Sequence, residues 1–292
     1  VTTEAGGAGG LDAGALVTEQ WRRITRMRDE DIPLAEGALW IAAGEYPGLA
    51  VADYLGQLRD MADRLQSRLR ADMATADKLR ALNHYLFDEL GFCGNSEHFH
   101  DPRNSFLNDV LDRRLGIPIT LALVYIEIGR RIGIRLHGVS FPGHFLVKCP
   151  VRDGMVVLDP YSRGVSLDIE ELQLRLRAAG SAADVDDAVL VHLLSAASNK
   201  EVLARVLRNL KVIYTKDADW LRALSASERL IGLIPDAGEE YRDRGGIYLK
   251  LECFRAALGD LGSYVRLCPG APDIAGVRAQ IADLAQRVAR LN

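Results

Sequence analysis

The segment PGHF, residues 142–145, places a lone histidine, His144, directly after Pro142 and Gly143 and fifteen residues before Asp159. An imidazole serves as a general base only with a nucleophile or water in reach and a carboxylate to hold its tautomer. Three side chains compete for the nucleophile's role. Thr120 offers a hydroxyl that needs strong activation, against the plainer use of bonding back to a helix carbonyl. Cys93 lies in a polar loop from which it could swing toward His144. Cys149, five residues beyond the histidine on the same run, is turned to the opposite face by strand alternation. For both thiols, and more so for Cys149, the plainer reading as buried or incidental is favoured. A second cluster lies in GFCGNSEHFHDPRNSFLNDVLDRR, residues 91–114. His98 and His100, with Asp101 beside them, invite a metal reading but lack an obvious third and fourth ligand, so a capping or solvated role is favoured. Asn104, Asn108, Asp109 and Arg113 read as tethers of the loop to the core, or alternatively as a ligand site. No metal or cofactor is expected.

These residues need a scaffold, and 292 residues are enough for about two domains. With 48% hydrophobic and 26% charged residues, the balance is that of an ordinary globular chain. The net charge of −4 gives no general attraction to nucleic acid, and scattered arginines such as Arg205 and Arg208 add little. From Leu34 to Leu90 the pattern is helical: Leu58, Met61, Ala62, Leu65 and Leu69 recur at three- and four-residue steps. Pro47-Gly48 separates two of these helices and Gly91 ends the last. Phe106, Leu107, Val110 and Leu111 predict a short helix. Pro118 suits the first turn of a long buried helix that Gly133 ends. This apolar run is too short to cross a membrane. After it, LHGVSF, HFLVKC and MVVLDP read as three strands, the last two joined at Arg152-Asp153-Gly154. Helix first and antiparallel sheet second make an α+β unit with the sheet packed on the 118–132 helix.

Beyond residue 180 the chain reads as all helix, opened by a capping box at Ser198 to Glu201. An offset of 34 residues pairs Trp220 with Phe254, Ala223 with Ala257, Leu230 with Tyr264 and Pro235 with Pro269. Tyr241, Gly245, Tyr248 and Ala257 fit a tetratricopeptide pattern of aromatic and small positions, mostly core packing. A terminal helix follows from Pro272 to Leu291. Stacked helix pairs of this kind form a surface suited to a protein or peptide partner, with Tyr241 and Tyr248 as candidate binding residues. At the other end, the Gly- and Ala-rich start lacks a secretory signal and reads as a mobile tail. Four cysteines without a CxxC pair fit a reducing cytoplasm.

The segments PRNSFLNDVLDRR, GIPITL and PGHF, followed by LDPYSRG and the repeat tail, resemble the bacterial Sir-B-type proteins of the transglutaminase-like superfamily. The resemblance runs from about Asp31 to the end. It implies a papain-like helix-and-sheet domain in which a cysteine at a helix N-terminus is activated by a histidine on a neighbouring strand, itself oriented by an aspartate. His144 and Asp159 take the last two places. Laid on Gly116, Ala122, Arg130 and Gly133, the superfamily pattern puts Pro118 where the cysteine belongs. Proline has no nucleophile, and Thr120 points about 200° of helix rotation away from Pro118. A related domain in some eukaryotic F-box proteins points to interaction roles.

The expected organisation is therefore a flexible tail and first helix over 1–30, a transglutaminase-like domain with helical lead-in over 31–180, and tetratricopeptide-like repeats over 195–292. The expected function is non-catalytic protein or peptide binding in the cytoplasm, without nucleic acid or membrane. The alternative is a hydrolase or acyl-transfer enzyme using the His144–Asp159 pair with water or a non-cysteine nucleophile such as Thr120.

Overall fold

Apolar residues at helical spacing organise most of the chain. The computed structural model describes residues 8–152, 154–180 and 186–290. Residues 1–7 of the expected tail, Asp153 of the expected hairpin turn and Leu291 of the expected terminal helix lie outside the described residues. The chain divides into two compact units, residues 1–206 and 207–292.

In the first unit, helix α1 (Ala8–Arg26) begins inside the segment expected to be a tail. The reason is amphipathic: Val17, Trp21 and Ile24 fall on one face and are buried. Helices α2 (Leu34–Ala43), α3 (Val51–Gln66) and α4 (Thr75–Asn83) follow, with α4 prolonged by a wider i→i+5 turn over His84–Glu89. Gly48 and Gly91 both have positive φ, 85° and 73°, which is the conformation their punctuating positions require. A short parallel pair, β1 (Cys93–Gly94) with β2 (Leu115–Gly116), brackets α5 (Leu107–Arg113).

Helix α6 (Pro118–Arg131) is the centre of this unit. Every residue from Pro118 to Gly129 is buried, including Glu127, which Arg130 and Arg131 pair from the helix's own last turn. Then come β3 (His137–Val139), β4 (Leu146–Val151), β5 (Gly154–Asp159) and β6 (Val165–Leu167), an antiparallel sheet in that order. Three strands of this sheet are predicted and four are found among the described residues. β6 is three residues long with two exposed, so it carries too little apolar alternation to be read. Helix α7 (Ile169–Ala178) opens with an Asp168/Glu171 capping box, and α8 (Asp187–Leu193) follows. Leu172 and Leu176 of α7 and Leu190 of α8 join Val139, Phe141, Leu146 and Val157 in one apolar cluster. The sheet is thus covered on one side by α6 and on the other by α7 and α8.

Helix α9 (Asn199–Lys216) starts in the first unit, where Asp29 accepts hydrogen bonds from the Asn199 and Lys200 amides at 2.9 and 2.8 Å. The predicted capping box is present: Glu201 N–H donates to Ser198 Oγ at 3.2 Å and the Glu201 carboxylate accepts from Ser198 N–H at 2.7 Å. The second unit continues with α10 (Trp220–Leu233), α11 (Gly238–Lys250), α12 (Phe254–Leu267) and α13 (Ile274–Arg290). Trp220 and Phe254, one repeat apart, are the first residues of α10 and α12. At Gly245 the absent side chain lets α12 approach, since a β-carbon there would stand 3.1 Å from Leu261. Among the described residues no helix is long and apolar enough to cross a membrane.

Candidate functional site

His144 is set by a tight turn in which its amide donates to the Phe141 carbonyl at 3.0 Å, with Gly143 at φ 69°. The next residue, Phe145, packs into the space left by Gly138 on the adjoining strand. This anchors the chain directly after the turn, one residue ahead of β4. Asp159 closes β5 and caps the single 3-10 turn Pro160–Ser162, where Pro160 occupies a position that needs no amide donor.

The two side chains meet as the resemblance implies. His144 Nε2 lies 2.9 Å from Asp159 Oδ1. The histidine side chain is 16% exposed and the aspartate 0%. Oδ1 also accepts from the amides of Tyr161 and Ser162, at 3.0 and 3.3 Å. Oδ2 accepts from Ser162 Oγ at 2.8 Å and pairs with Arg175 Nη2 of α7 at 2.8 Å. Burial raises the Asp159 pKa, but the His144 hydrogen bond and charge, the Ser162 hydroxyl and Arg175 outweigh it and hold the carboxyl below its ordinary value. Among the described residues Nδ1 of His144 has no hydrogen-bond partner, so the ring presents that nitrogen away from the carboxylate.

What faces the histidine is an aromatic ring. Tyr161 meets His144 edge-on at 5.9 Å and Phe99 at 6.4 Å. Gly94 makes room for it, for a β-carbon there would stand 2.6 Å from Tyr161 Cζ. Burial raises the Tyr161 pKa, with Asp159 and Cys93 adding to the effect. Cys93 therefore neighbours this ring, half-buried on β1 and paired in register with Leu115 just ahead of α6.

The head of α6 holds no free nucleophile. Pro118 is buried at the first helical position. Thr120 is 0% exposed, and its hydroxyl is consumed by capping: it accepts from the Ile117 amide at 3.1 Å and donates to the Asn104 carbonyl at 2.7 Å, with Ile117 O at 3.2 Å. The shorter donated bond thus goes to the Asn104 carbonyl, outside the helix, and the helix-start carbonyl of Ile117 is the longer contact. Cys149 is buried and burial pushes its thiol up, with Arg135 opposing, which makes it a poor nucleophile.

The 91–114 loop is a polar scaffold. Asn104, fully buried, donates to the His98 carbonyl at 2.7 Å and accepts from Asn95 Nδ2 at 3.1 Å. Asp109 accepts from Tyr46 Oη at 2.6 Å, and Arg113 lies 3.7 Å from Asp101. Asn108 Oδ1 and Arg113 Nη1 are buried without a hydrogen-bond partner among the described residues. Asp101 caps the turn 102–104 and pairs with Arg103, a role in line with the capping alternative. Among the described residues no three His, Cys, Asp or Glu side chains are placed to hold a metal ion.

In the second unit, Tyr241 and Tyr248 flank Arg244, whose guanidinium carbon lies 5.8 and 5.7 Å from their ring centroids. Arg244 in turn makes a two-pronged contact with Asp260 at 2.7 and 2.8 Å. Both tyrosines are half-buried and pack on the α12 and α13 core, so their place is between helices.

Ser162, Arg175 and Tyr161 complete the His144–Asp159 site and were not singled out from the sequence. Ser162 was legible, since Asp-Pro-x-Ser is a capping pattern. Arg175, on another element, left no local signal.

A model of the transglutaminase-like superfamily matches residues 52–208 and a tetratricopeptide-repeat model matches residues 210–282. A UPF0162 protein of Xylella fastidiosa is 42% identical over 92% of this chain and 96% of its own. A UPF0162 protein of Pseudomonas aeruginosa is 35% identical over 80% of this chain and 84% of its own. Protein SirB1 of Salmonella typhimurium is 29% identical over 91% and 98% respectively. Among solved structures, a crystal structure of menin aligns with TM-score 0.37 and 11% identity over 89% of this chain and 70% of that one, too distant to imply a shared fold. With an α+β domain around His144 and Asp159 and a helical repeat tail, the chain belongs to the transglutaminase-like superfamily, in the family that includes SirB1 and the UPF0162 proteins.

Proposed function

We propose that this protein is a non-catalytic transglutaminase-like protein that binds a protein or peptide partner as a regulatory or scaffold module. One observation carries the reading: the helix start that would hold the nucleophile holds buried Pro118, and the hydroxyl two residues on, that of Thr120, is spent on capping. The tetratricopeptide tail supports it, because stacked helix pairs are generally used for protein recognition. Its free cysteines suit a reducing cytoplasm. The test is quantitative affinity capture from extract with the full chain and with the full chain denatured. Partners enriched only by the folded protein are expected. No enrichment over the denatured control would sink the reading.

A second reading has its own observation, the intact His144–Asp159 contact with Nδ1 turned away from it. In that reading His144 acts as general base on water, or on the Cys93 thiol, in hydrolysis or acyl transfer. A panel of activated esters and amides tests it. Turnover abolished by His144→Ala would favour this reading, and its loss or retention in Cys93→Ser would separate thiol from water.

A further inference from the structure

The second unit carries a groove of about 520 Å³ between the C-terminal halves of α9 and α11 and the first turn of α10. That lies within the ~300–1,000 Å³ common for ligand clefts. Val212, Trp220 and Ile247 give it an apolar wall, and Val212 is 58% exposed. Gly246 contributes no side chain, and a β-carbon there would meet nothing within 4 Å, so the floor stays open.

The rim is cationic, with Lys211, Lys216 and Lys250 against one acid, Asp243. Lys211 is already engaged: its Nζ lies 2.6 Å from both Glu240 and Asp243. Asp243 is offset by Lys211 and by Arg242 at 3.4 Å. Lys216 and Lys250 differ. Both are exposed, and among the described residues neither has a carboxylate partner. Lys250 Nζ is held 5.8 Å from the Trp220 ring centroid, a cation–π contact that fixes its position without neutralising its charge.

We infer that this groove binds an extended acidic peptide segment, with its carboxylates at Lys216 and Lys250 and a neighbouring aliphatic side chain against Val212, Trp220 and Ile247. The inference rests on the peptide-binding reading above and names the chemistry of the partner. A nucleic acid fits less well: two uncommitted lysines beside an apolar wall and an aspartate do not make the extended basic stripe that a phosphate backbone needs.

The experiment is selection of a displayed random dodecapeptide library on the full chain, in parallel with Lys216→Glu/Lys250→Glu. Both substitutions are at exposed positions, and circular dichroism checks that the fold is kept. The expected result is enrichment of Asp or Glu next to an aliphatic residue on the wild type. The best selected peptide, made synthetically, should bind at least tenfold more weakly to the double variant and more weakly in high salt. Enrichment without acidic bias, equal binding to the double variant, or displacement by a deoxythymidine oligonucleotide would overturn the groove's assignment and leave the broader reading standing. No enriched peptide, together with no partner captured from extract, would overturn both.

Discussion

Asp159→Asn tests the central geometry because it changes charge and donor pattern while keeping shape. Both carboxylate oxygens are committed to donors: Oδ1 to His144 Nε2 and two amides, Oδ2 to Ser162 Oγ and Arg175. Whichever way the new amide is turned, its NH2 group meets donors. The milder arrangement puts NH2 at Ser162, whose hydroxyl can rotate to accept, and forfeits the Arg175 pair. A hydrogen bond involving a charged group contributes about 1.5–3 kcal/mol, and removing one partner of a buried pair costs about 3–5 kcal/mol. Arg175 is partly exposed and can turn to water, which favours the low end. The expected loss is about 3 kcal/mol at pH 7. At about 2–4 °C per kcal/mol for a unit of this size, the melting temperature should fall by about 6–12 °C. The assay is urea unfolding in a Trp220→Phe background, where Trp21 and Trp40 report on the first unit. The acid limb follows from the lowered pKa of Asp159. A carboxylate held low in the folded state contributes fully above its unfolded value of about 3.9, and the contribution is lost as pH falls through the folded value. The gap between wild type and variant should therefore be full at pH 7 and shrink below about pH 4. A loss under about 1 kcal/mol at pH 7, or a gap constant down to pH 3, would refute the reasoning.

Gly94→Ala should destabilise the first unit by about 1–3 kcal/mol, the cost of overpacking, because the new methyl group meets the Tyr161 ring. Thermal melting gives the size, and a shifted His144 ring resonance would show that the disturbance reaches the histidine. Lys211→Met leaves buried Glu240 with Arg208 alone and should cost the second unit about 3 kcal/mol, read by urea unfolding through Trp220. Pro118→Ala should cost about 1–3 kcal/mol, from a less restricted unfolded chain and from the buried ring carbons it removes, measurable by thermal melting.

Helical spacing and glycine punctuation made most of the first unit legible, since residues such as Leu58 and Leu65 must share a face in any fold that buries them. The repeat tail was legible for a different reason: a 34-residue offset is a long-range signal carried within one stretch of sequence. Three strands were readable and β6 was not, because its Val-Ser-Leu exposes two of three side chains. The His144–Asp159 contact followed from family resemblance, as fifteen residues of separation alone say nothing about distance. What stayed hidden was the neighbour that each member of the pair meets beyond the other. Arg175 reaches Asp159 from α7, and Tyr161 reaches His144 only because Gly94, on a strand pair two residues long, leaves a gap for its ring.

The two members of the pair are unequal in what they give the fold, and that inequality is testable. Asp159 has an adequate structural reason for its place: it caps a turn, takes a hydroxyl and two amides, and ties α7 to the sheet through Arg175. His144 has far less, one hydrogen bond to that carboxylate and one edge-on ring contact. His144→Ala leaves Asp159 with four other donors, so its cost should be about 1.5–2 kcal/mol, the low end for a hydrogen bond to a charged group and below the Asp159→Asn effect. Both are measured by the same urea assay. If His144→Ala instead costs as much as Asp159→Asn, the histidine is a structural member of the core and its ring needs no further use. If it is cheap, as its contacts predict, then an imidazole held by Nε2 on a carboxylate, with Nδ1 left to other uses, is not explained by stability. The question then moves to what that nitrogen touches when a partner is bound.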